Sequence, residues 1–558
     1  MTQKTAPSAE PATSLRPTTA AATAITLPDV HALLARGLAL HQQGKLATAK
    51  EAYLAVLHVQ PAHVDAQHLL GVVAGQCGDF TAAVDHIRKA LAQNPNHLAA
   101  LTNLALALEN LNRMEEALAC YDRVITLQPD HAAAWFKRGL VLQALHRPAD
   151  AVDSYSQALA IHPNHADACF HQGNALKQLR RLADALRSYD QAIAIQPNHA
   201  DAWCNRGNTL RELHRLEEAL ASYDQALAIR PDSADAWCNR GTAWFDLKRF
   251  GEALASFDQA IARRPQFLDA FCNRGLALKE LQRPDEALAS YDQALALQPD
   301  YAQAHSNRGA LFMHLKRYAE ALLCFDRAIA SKPDYSDAWC NRGLALHELE
   351  RAAEAVRSYD QAIALKPDYA DAHYNRGNAF MARNDVRQAL ASYDRAIALQ
   401  PHSAQACFNQ SLALLVSGQL LPGWGMYEWR WKNEKSGTRL PRFTQPRWLG
   451  TESLAGKTIL LYGEQGLGDS IQFCRYVPLV KQLGARVLLS VPQALLRLLE
   501  GMAGIDQLLE TGTPLPPFDC HCPCCLYRWL SRPGFTTFQR LRPCCPVTRN
   551  SARPGASA

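Results

Sequence analysis

PDYADAHYNRGNAFMARNDVRQALASYDRAIALQ, residues 367–400, is one period of a repeat that runs through most of the chain. Prolines stand at 61, 95, 129, 163, 197, 231, 265, 299, 333, 367 and 401, every interval being 34. Glycine keeps the same register at 37, 71, 139, 173, 207, 241, 275, 309, 343 and 377, with Ala105 in the single gap. Alanine recurs from Ala49 to Ala389, and an aromatic follows four residues later in nearly every copy, as in Tyr223 and Tyr393. Each unit reads as two helices. Asp368 is positioned to cap the first, with Asp371 completing a capping-box-like pair. Gly377 lies mid-helix, where glycine costs about 1 kcal/mol against alanine. Its recurrence therefore implies that two helices approach closely there. Ala389 and Tyr393 are one turn apart, so small and large side chains alternate on the buried face of the second helix. Pro401 stops that helix.

Length and composition set the frame around this repeat. The chain has 558 residues, 48% hydrophobic and 20% charged, which is globular material with room for several domains. The formal charge of +5 misleads, because residues 520–558 carry six arginines and no acid; the remainder is −1. No distributed basic surface exists, and nucleic acid is not an expected partner. No apolar run reaches the roughly 18 residues of a membrane helix. Residues 1–29, rich in Ala, Thr and Pro, lack the pattern of a signal peptide and read as a disordered leader. The 16 cysteines do not form a secreted framework: ten lie singly between Cys77 and Cys474, several at one repeated place. The expectation is a cytoplasmic protein with reduced thiols.

The 34-residue spacing resembles the tetratricopeptide repeat (TPR) family over residues 30–403, in eleven copies. Residues 404–431 form a degenerate twelfth copy, with Ser411 in the glycine place, Gly423 in the alanine place and Tyr427 in the aromatic place. The resemblance implies a mainly α, superhelical solenoid with a concave groove. Glycine, alanine, aromatic and proline are packing residues. Asparagine is different, because it repeats without a packing reason: Asn103, Asn205, Asn239, Asn273, Asn307, Asn341, Asn375 and Asn409 all stand two before the glycine place. A carboxamide offers both a donor and an acceptor, and a file of them could pair with the backbone of an extended polypeptide. The row is similar to the asparagine ladder that holds polypeptide substrate in the TPR arm of O-GlcNAc transferases, and Lys137 and His171 interrupt it. A homodimer through the repeats is a further expectation. Cys204, Cys238, Cys272 and Cys340 read as small semi-buried side chains. The arginine row from Arg206 to Arg376 and the aspartate row from Asp190 to Asp360 read as inter-helix ion pairs or a solvated face. His131, His165 and His199 fall in inter-repeat turns, with nothing to mark them as catalytic.

After Glu428 the period ends. Residues 432–455 read as a linker. Residues 456–519 then carry an α/β pattern. Thr458–Tyr462 is a strand, Gly463, Gly466 and Gly468 a tight turn, and Asp469–Leu483 a helix. Arg486–Val491 is a second strand, Pro492–Gly501 a second helix, and Ile505–Leu509 a third strand. This is the opening of a doubly wound sheet. The turn is no P-loop, but amides at a helix N-terminus suit an anion. Asp469 is placed to act as a general base or as the N-cap of its helix.

GWGMYEWRW at 423–431, PRWLG at 446–450 and GKTILLYGEQGLGDSIQFCRY at 456–476 together resemble bacterial TPR glycosyltransferases. Their catalytic part is of the GT-B kind found in heptosyltransferases and O-GlcNAc transferases. The resemblance implies a partial Rossmann-like lobe at 456–519 and transfer from a nucleotide-sugar donor of the UDP-sugar type, on the pattern of protein O-glycosylation. In it Gly463, Gly466 and Gly468 face the cleft and Asp469 matches the acceptor base. No covalent cofactor is implied. Only 39 residues follow Asp519, too few for the second, donor-binding lobe, so the expectation is a chain without transfer activity. The alternative reading is a non-enzymatic interaction scaffold. Residues 520–558 hold six cysteines, six arginines and five prolines and read as an irregular tail. Rereading the codons of Pro523–Ser531 one base early can give Leu-Leu-Ser-Leu-Pro-Leu-Ala-Phe, a core-like stretch, which suggests a frameshift. A zinc site from Cys520, His521, Cys522, Cys524, Cys525, Cys544 and Cys545 is the rival. Only Cys522 and Cys525 have zinc-knuckle spacing, so no metal site is assigned.

Overall fold

A computed structural model describes residues 29–433, 443–450, 452–463 and 466–523. It divides into two compact units, Met1–Pro265 and Gln266–Ala558. Nearly all of the leader and all of the tail beyond Pro523 lie outside the described residues, as do Glu464 and Gln465 of the glycine turn.

The first unit holds seven helix pairs, from Val30–Gln42 with Leu46–Val59 to Ala234–Asp246 with Phe250–Arg263. The second opens with five more pairs, from Leu268–Glu280 with Pro284–Leu297 to Ala404–Val416 with Leu420–Tyr427. The expected close approach is present in each unit. A β-carbon placed on Gly377 would stand 2.5 Å from Cε1 of Tyr393, and one on Gly207 would stand 2.6 Å from Cε1 of Tyr223. Ala389, Tyr393 and Tyr223 are all fully buried. Burying such a side chain is worth about 1.5–3 kcal/mol, more than the propensity lost at the glycine. The twelfth pair keeps the register, with Ser411, Gly423 and Tyr427 all buried.

One local expectation fails. Asp368 does not cap its helix. Ala370–Ala382 begins two residues later, Tyr369 is its N-cap residue, and no side chain caps it. The Pro-Asp pair is spent on the turn itself.

Within each unit, consecutive first helices touch. Ala166–Gln178 meets Ala200–Glu212, which meets Ala234–Asp246; Ser336–Glu348 meets Ala370–Ala382. Consecutive second helices make no comparable contact. Each unit therefore curves with its first helices on the inner side.

The last part of the second unit is a four-stranded parallel sheet: β1 (Thr458–Tyr462), β2 (Arg486–Val491), β3 (Gln507–Glu510) and β4 (Cys520–Pro523), in the order β3-β2-β1-β4. Ile459 faces Val487 on one side and Cys520 on the other. Ile459 and Leu461 share one apolar core with Phe473, Val477, Val480, Leu495 and Leu499 from the connecting helices. On the other face Leu460, Tyr462 and Leu488 pack with Phe443, Leu515 and Phe518.

Three sequence expectations change here. The helix expected over Asp469–Leu483 is two helices, Leu467–Cys474 and Val477–Gln482, the second with proline in its first turn. The sheet extends past Asp519 into the segment read as tail, because Cys520–Pro523 pairs with β1. The described end of the segment read as linker is structural. Trp448 is buried in the sheet core, its backbone N–H donates to His521 O at 2.8 Å, and Arg447 pairs with Glu428 at 2.6 Å. No described helix is long and apolar enough to cross a membrane.

Candidate functional site

The expected ion pairs form a latch between repeats. Arg206 Nε donates to Asp190 Oδ1 at 2.7 Å and its Nη1 to Ser222 Oγ at 2.7 Å. Arg342 does the same with Asp326 and Ser358. Exposed ion pairs are worth little each, but this one also has a hydroxyl and spans the joint between repeats. It ties the first helix Ala200–Glu212 to the second helices on either side, Leu182–Ile195 and Leu216–Ile229, and so fixes how one repeat sits on the next.

That arrangement places the asparagine row. All eight asparagines are half-buried on the first helices. Several spend polarity on the repeat before. Asn205 Nδ2 donates to Asn174 Oδ1 at 2.8 Å, and the same oxygen accepts the Tyr189 hydroxyl at 2.8 Å. Asn409 Nδ2 donates to Asn378 Oδ1 at 2.9 Å, where Tyr393 also donates. Asn103 Nδ2 bonds His68 Nε2 at 2.9 Å, Asn239 Nδ2 contacts Cys204 Sγ at 3.6 Å, and Asn375 bonds the Cys340 thiol. Asn307 Oδ1 accepts from Gln303 Nε2 at 2.9 Å. Asn273 also has a partner. Among the described residues Asn205 Oδ1 and the whole Asn341 carboxamide carry no protein hydrogen bond. The row is thus a set of oriented amides, several clamped from one side and open on the other.

At the interruption, the ring of His171 stacks on Tyr155 at 6.2 Å and lies against Phe136 and Phe170. Burial, before any charge, pushes its pKa down. The cysteines of the repeat were expected to be semi-buried; Cys204 is, and the others go deeper. Cys238, Cys272 and Cys340 are buried, and burial pushes Cys272 up to about 12 and Cys340 up to about 11.

Two contributors escaped the sequence reading. Asn174, Asn208 and Asn378, one residue after the glycine place, accept the tyrosine hydroxyls; their register was the available signal. The turn histidines are N-caps. Nδ1 of His97, His131 and His199 accepts the N–H of Ala100, Ala134 and Ala202 at 3.1, 3.1 and 3.2 Å. Their place three residues before a recurring alanine was the clue.

The second candidate lies at the end of β1. Gly463 N donates to Ser490 O at 3.1 Å, and a β-carbon on Gly463 would stand 2.6 Å from Ser470 Oγ. Gly466 and Gly468 have open space where a β-carbon would be. Asp469 is not the N-cap of its helix. Gly466 holds that position and no side chain caps there. Asp469 sits in the first turn, partly exposed. No sequence-derived site residue of the repeats is shown beside it.

Cys520 and Cys522 face the apolar core of the sheet, whereas His521 lies on the opposite face, 4.8 Å from the ring of Phe443. Strand alternation keeps them from sharing one ion. Among the described residues no His, Cys, Asp and Glu side chains cluster to hold a metal. Cys524, Cys525, Cys544 and Cys545 lie outside them.

Comparison with known proteins bears on the repeats. Tetratricopeptide repeat models match residues 34–97, 68–132 and 272–336, others 104–171, 166–199, 188–221, 234–267 and 370–403, and a TPR repeat model 207–248 and 344–382. Together they span more than half of the chain. No protein of curated function matches the sequence. Among solved structures, yeast Tom70 is 14% identical, covers 70% of this chain and 96% of its own, and has a TM-score of 0.42. A tetratricopeptide repeat protein from Parabacteroides merdae is 19% identical over 45% of this chain and 98% of its own, with a TM-score of 0.38. YrrB, described as a TPR protein with an unusual peptide-binding site, is 28% identical over 33% of this chain and 95% of its own, with a TM-score of 0.27.

Proposed function

This chain belongs to the tetratricopeptide repeat family, and we propose that the inner faces of its two units bind an extended polypeptide through the asparagine row. The observation that carries the reading is the clamped carboxamide. Asn205 is held by Asn174, which is itself held by Tyr189, so its oxygen is fixed without a protein donor of its own. A preoriented acceptor of this kind recognises a backbone N–H and ignores side chains, which suits a partner of varied sequence. The half-burial of the row limits competition from solvent.

The test is Asn205, Asn239 and Asn341 replaced together by alanine. Binding to an array of fluorescent, unstructured 20-residue peptides should weaken about tenfold or more, since each lost hydrogen bond is worth roughly 0.5–1.5 kcal/mol. Asn174→Ala, which loosens the clamp but leaves the row intact, should have a smaller effect. Unchanged binding by the triple variant removes the row from the function.

A specific observation favours a second activity in the C-terminal sheet, that of a sugar-transferring lobe. The strand order reverses at β1, with β2 on one side and β4 on the other. The connection from β3 to β4 brings Leu515 and Phe518 onto the face opposite the helices. Ligands of open α/β sheets bind at such a switch point, beyond the carboxyl ends of the strands. Gly463 directly follows β1, and Asp469 lies in the first turn of the helix that comes next. In this reading a UDP-sugar diphosphate meets the amides at Gly466 and Gly468, and Asp469 accepts a proton from the acceptor hydroxyl. Adding a UDP-hexose should slow hydrogen exchange at residues 466–469. Exchange that stays the same with millimolar UDP-hexose sinks this second reading.

A further inference from the structure

Repeat two departs from its neighbours at two places that face each other. At the aromatic place it has Ile87, where other copies have Tyr53, Tyr121, Tyr155 and Tyr189. Twelve residues earlier it has Gly75, where the same register holds His41, Glu109, Gln143 and Lys177. In repeats one, three and four these two places bond. Tyr53 meets His41, Tyr121 donates to Glu109, and Tyr155 donates to Gln143 at 2.5 Å. Repeat two lacks both partners, and a cavity of about 240 Å³ is left there.

Its floor is Gly71, Ala83 and Ile87, and its wall includes the ring of Phe80. It opens among first-helix residues, beside Asn103 of the asparagine row. Three carboxamides stand at the edge, each with one atom already engaged. Gln76 Oε1 bonds His41 Nε2 at 2.8 Å, Asn103 Nδ2 bonds His68, and Asn110 Nδ2 donates to Leu106 O at 2.8 Å. Gln76 Nε2 and the oxygens of Asn103 and Asn110 remain for a ligand.

We propose that this cavity is a side-chain pocket for an aromatic residue of the polypeptide that lies along the first unit. The proposal rests on the polypeptide-binding reading above. The repeat supplies its own template for the guest, because in the neighbouring copies the corresponding space holds a ring. Phe80 offers an aromatic contact to such a ring, and the three carboxamides pair with the backbone on either side of it. The leader does not supply the guest, since residues 1–28 contain no Phe, Tyr or Trp.

Gly75→Gln is the discriminating variant. A β-carbon on Gly75 meets only Ala83 Cβ, at 3.7 Å, so the longer side chain enters without a clash and fills the pocket as Gln143 fills the corresponding place. The probes are N-acetyl-Ala-Phe-Ala-amide, its Leu counterpart and its all-Ala counterpart, titrated into the full chain with methyl-labelled Ile, Leu and Val. The Phe peptide should give saturable shifts at Ile87, Val72 and Leu106, and the all-Ala peptide none. Gly75→Gln should weaken the Phe peptide about tenfold, the equivalent of losing one well-buried side chain. Circular dichroism confirms that the variant is folded, and Ile87→Tyr provides a second way to fill the space.

Absence of saturation with the Phe peptide, or unchanged affinity in Gly75→Gln, overturns the pocket. Equal or tighter binding of the Leu peptide overturns its aromatic preference. Asn205 and Asn341 lie outside this pocket, so their replacement should leave the tripeptide untouched while weakening long peptides. Failure of the pocket and failure of the asparagine row are therefore read separately.

Discussion

The two units build the same helix pair with different chemistry at the residue before each first helix. In the first unit that residue is histidine five times over, and Nδ1 of His63, His97, His131, His165 and His199 accepts a backbone N–H of the helix it precedes. In the second unit it is Phe267, Tyr301, Tyr335 and Tyr369, none of which caps, and then Ser403, which caps the last first helix. The tyrosines reach back instead. Tyr301 donates to Asp269, Tyr335 donates to Gln303 at 2.9 Å, and Tyr369 bonds Asp337. The histidine joints tie the turn to its own helix and the tyrosine joints tie it to the preceding repeat. The backbone is the same, so the fold does not demand either solution.

Acid should separate the units, and this is the largest effect expected. His68, His86 and His171 in the first unit are held below the ordinary histidine pKa, in each case mainly by burial. The second unit has His305 and His373 in its repeats, lowered for the same reason. The sign follows directly. The folded state holds these rings neutral, while the unfolded chain takes up protons below about pH 6.5. The stability they represent is present above that value and is lost as pH falls through it. Hydrogen exchange on the intact chain at pH 7.5 and pH 5.0 should show a larger loss of protection over 64–212 than over 268–382. His171→Phe, which keeps a ring against Tyr155, Phe136 and Phe170 but removes the titration, should narrow the gap. Equal loss in both units would break the comparison.

The same contrast shows what a sequence can and cannot tell. The repeat was legible because its constraint is local: a glycine every 34 residues faces a ring sixteen residues on, as at Gly377 and Tyr393. Thr458–Tyr462 and Arg486–Val491 were legible as strands because both are continuous apolar runs. Cys520–Pro523 was not, because Cys-His-Cys-Pro reads as a metal knuckle or a turn, and only the open edge of β1 makes it a strand. Trp448 looked like part of a linker because its burial depends on Cys520–Pro523, a strand far along the chain. The asparagine row was visible in register. Its partners, 31 and 35 residues earlier, depend on how one repeat sits on the next, and a single period does not encode that.

The smallest effect tests whether the tyrosine hydroxyl that closes a repeat on itself matters in both units. In the first unit Tyr189 and Tyr223 donate to Asn174 and Asn208, each at 2.8 Å. In the second unit Leu276 and Leu344 stand where those asparagines would be, and the buried hydroxyls of Tyr291 and Tyr359 have no partner among the described residues. Tyr393 is the exception, and there Asn378 is present. The aromatic ring is thus constant while its hydroxyl is satisfied in only some copies. A buried hydroxyl without a partner costs free energy, whereas a satisfied one contributes about 1 kcal/mol. Tyr223→Phe should therefore destabilise the first unit by about 1 kcal/mol and also release Asn208. Tyr291→Phe should be neutral or stabilising, although it makes the same change of one oxygen atom at the same place in the repeat. Calorimetry on the two variants reads the difference directly. A loss in Tyr291→Phe as large as that in Tyr223→Phe would mean that the Tyr291 hydroxyl has a partner in solution, and the two units would then differ only in their turns.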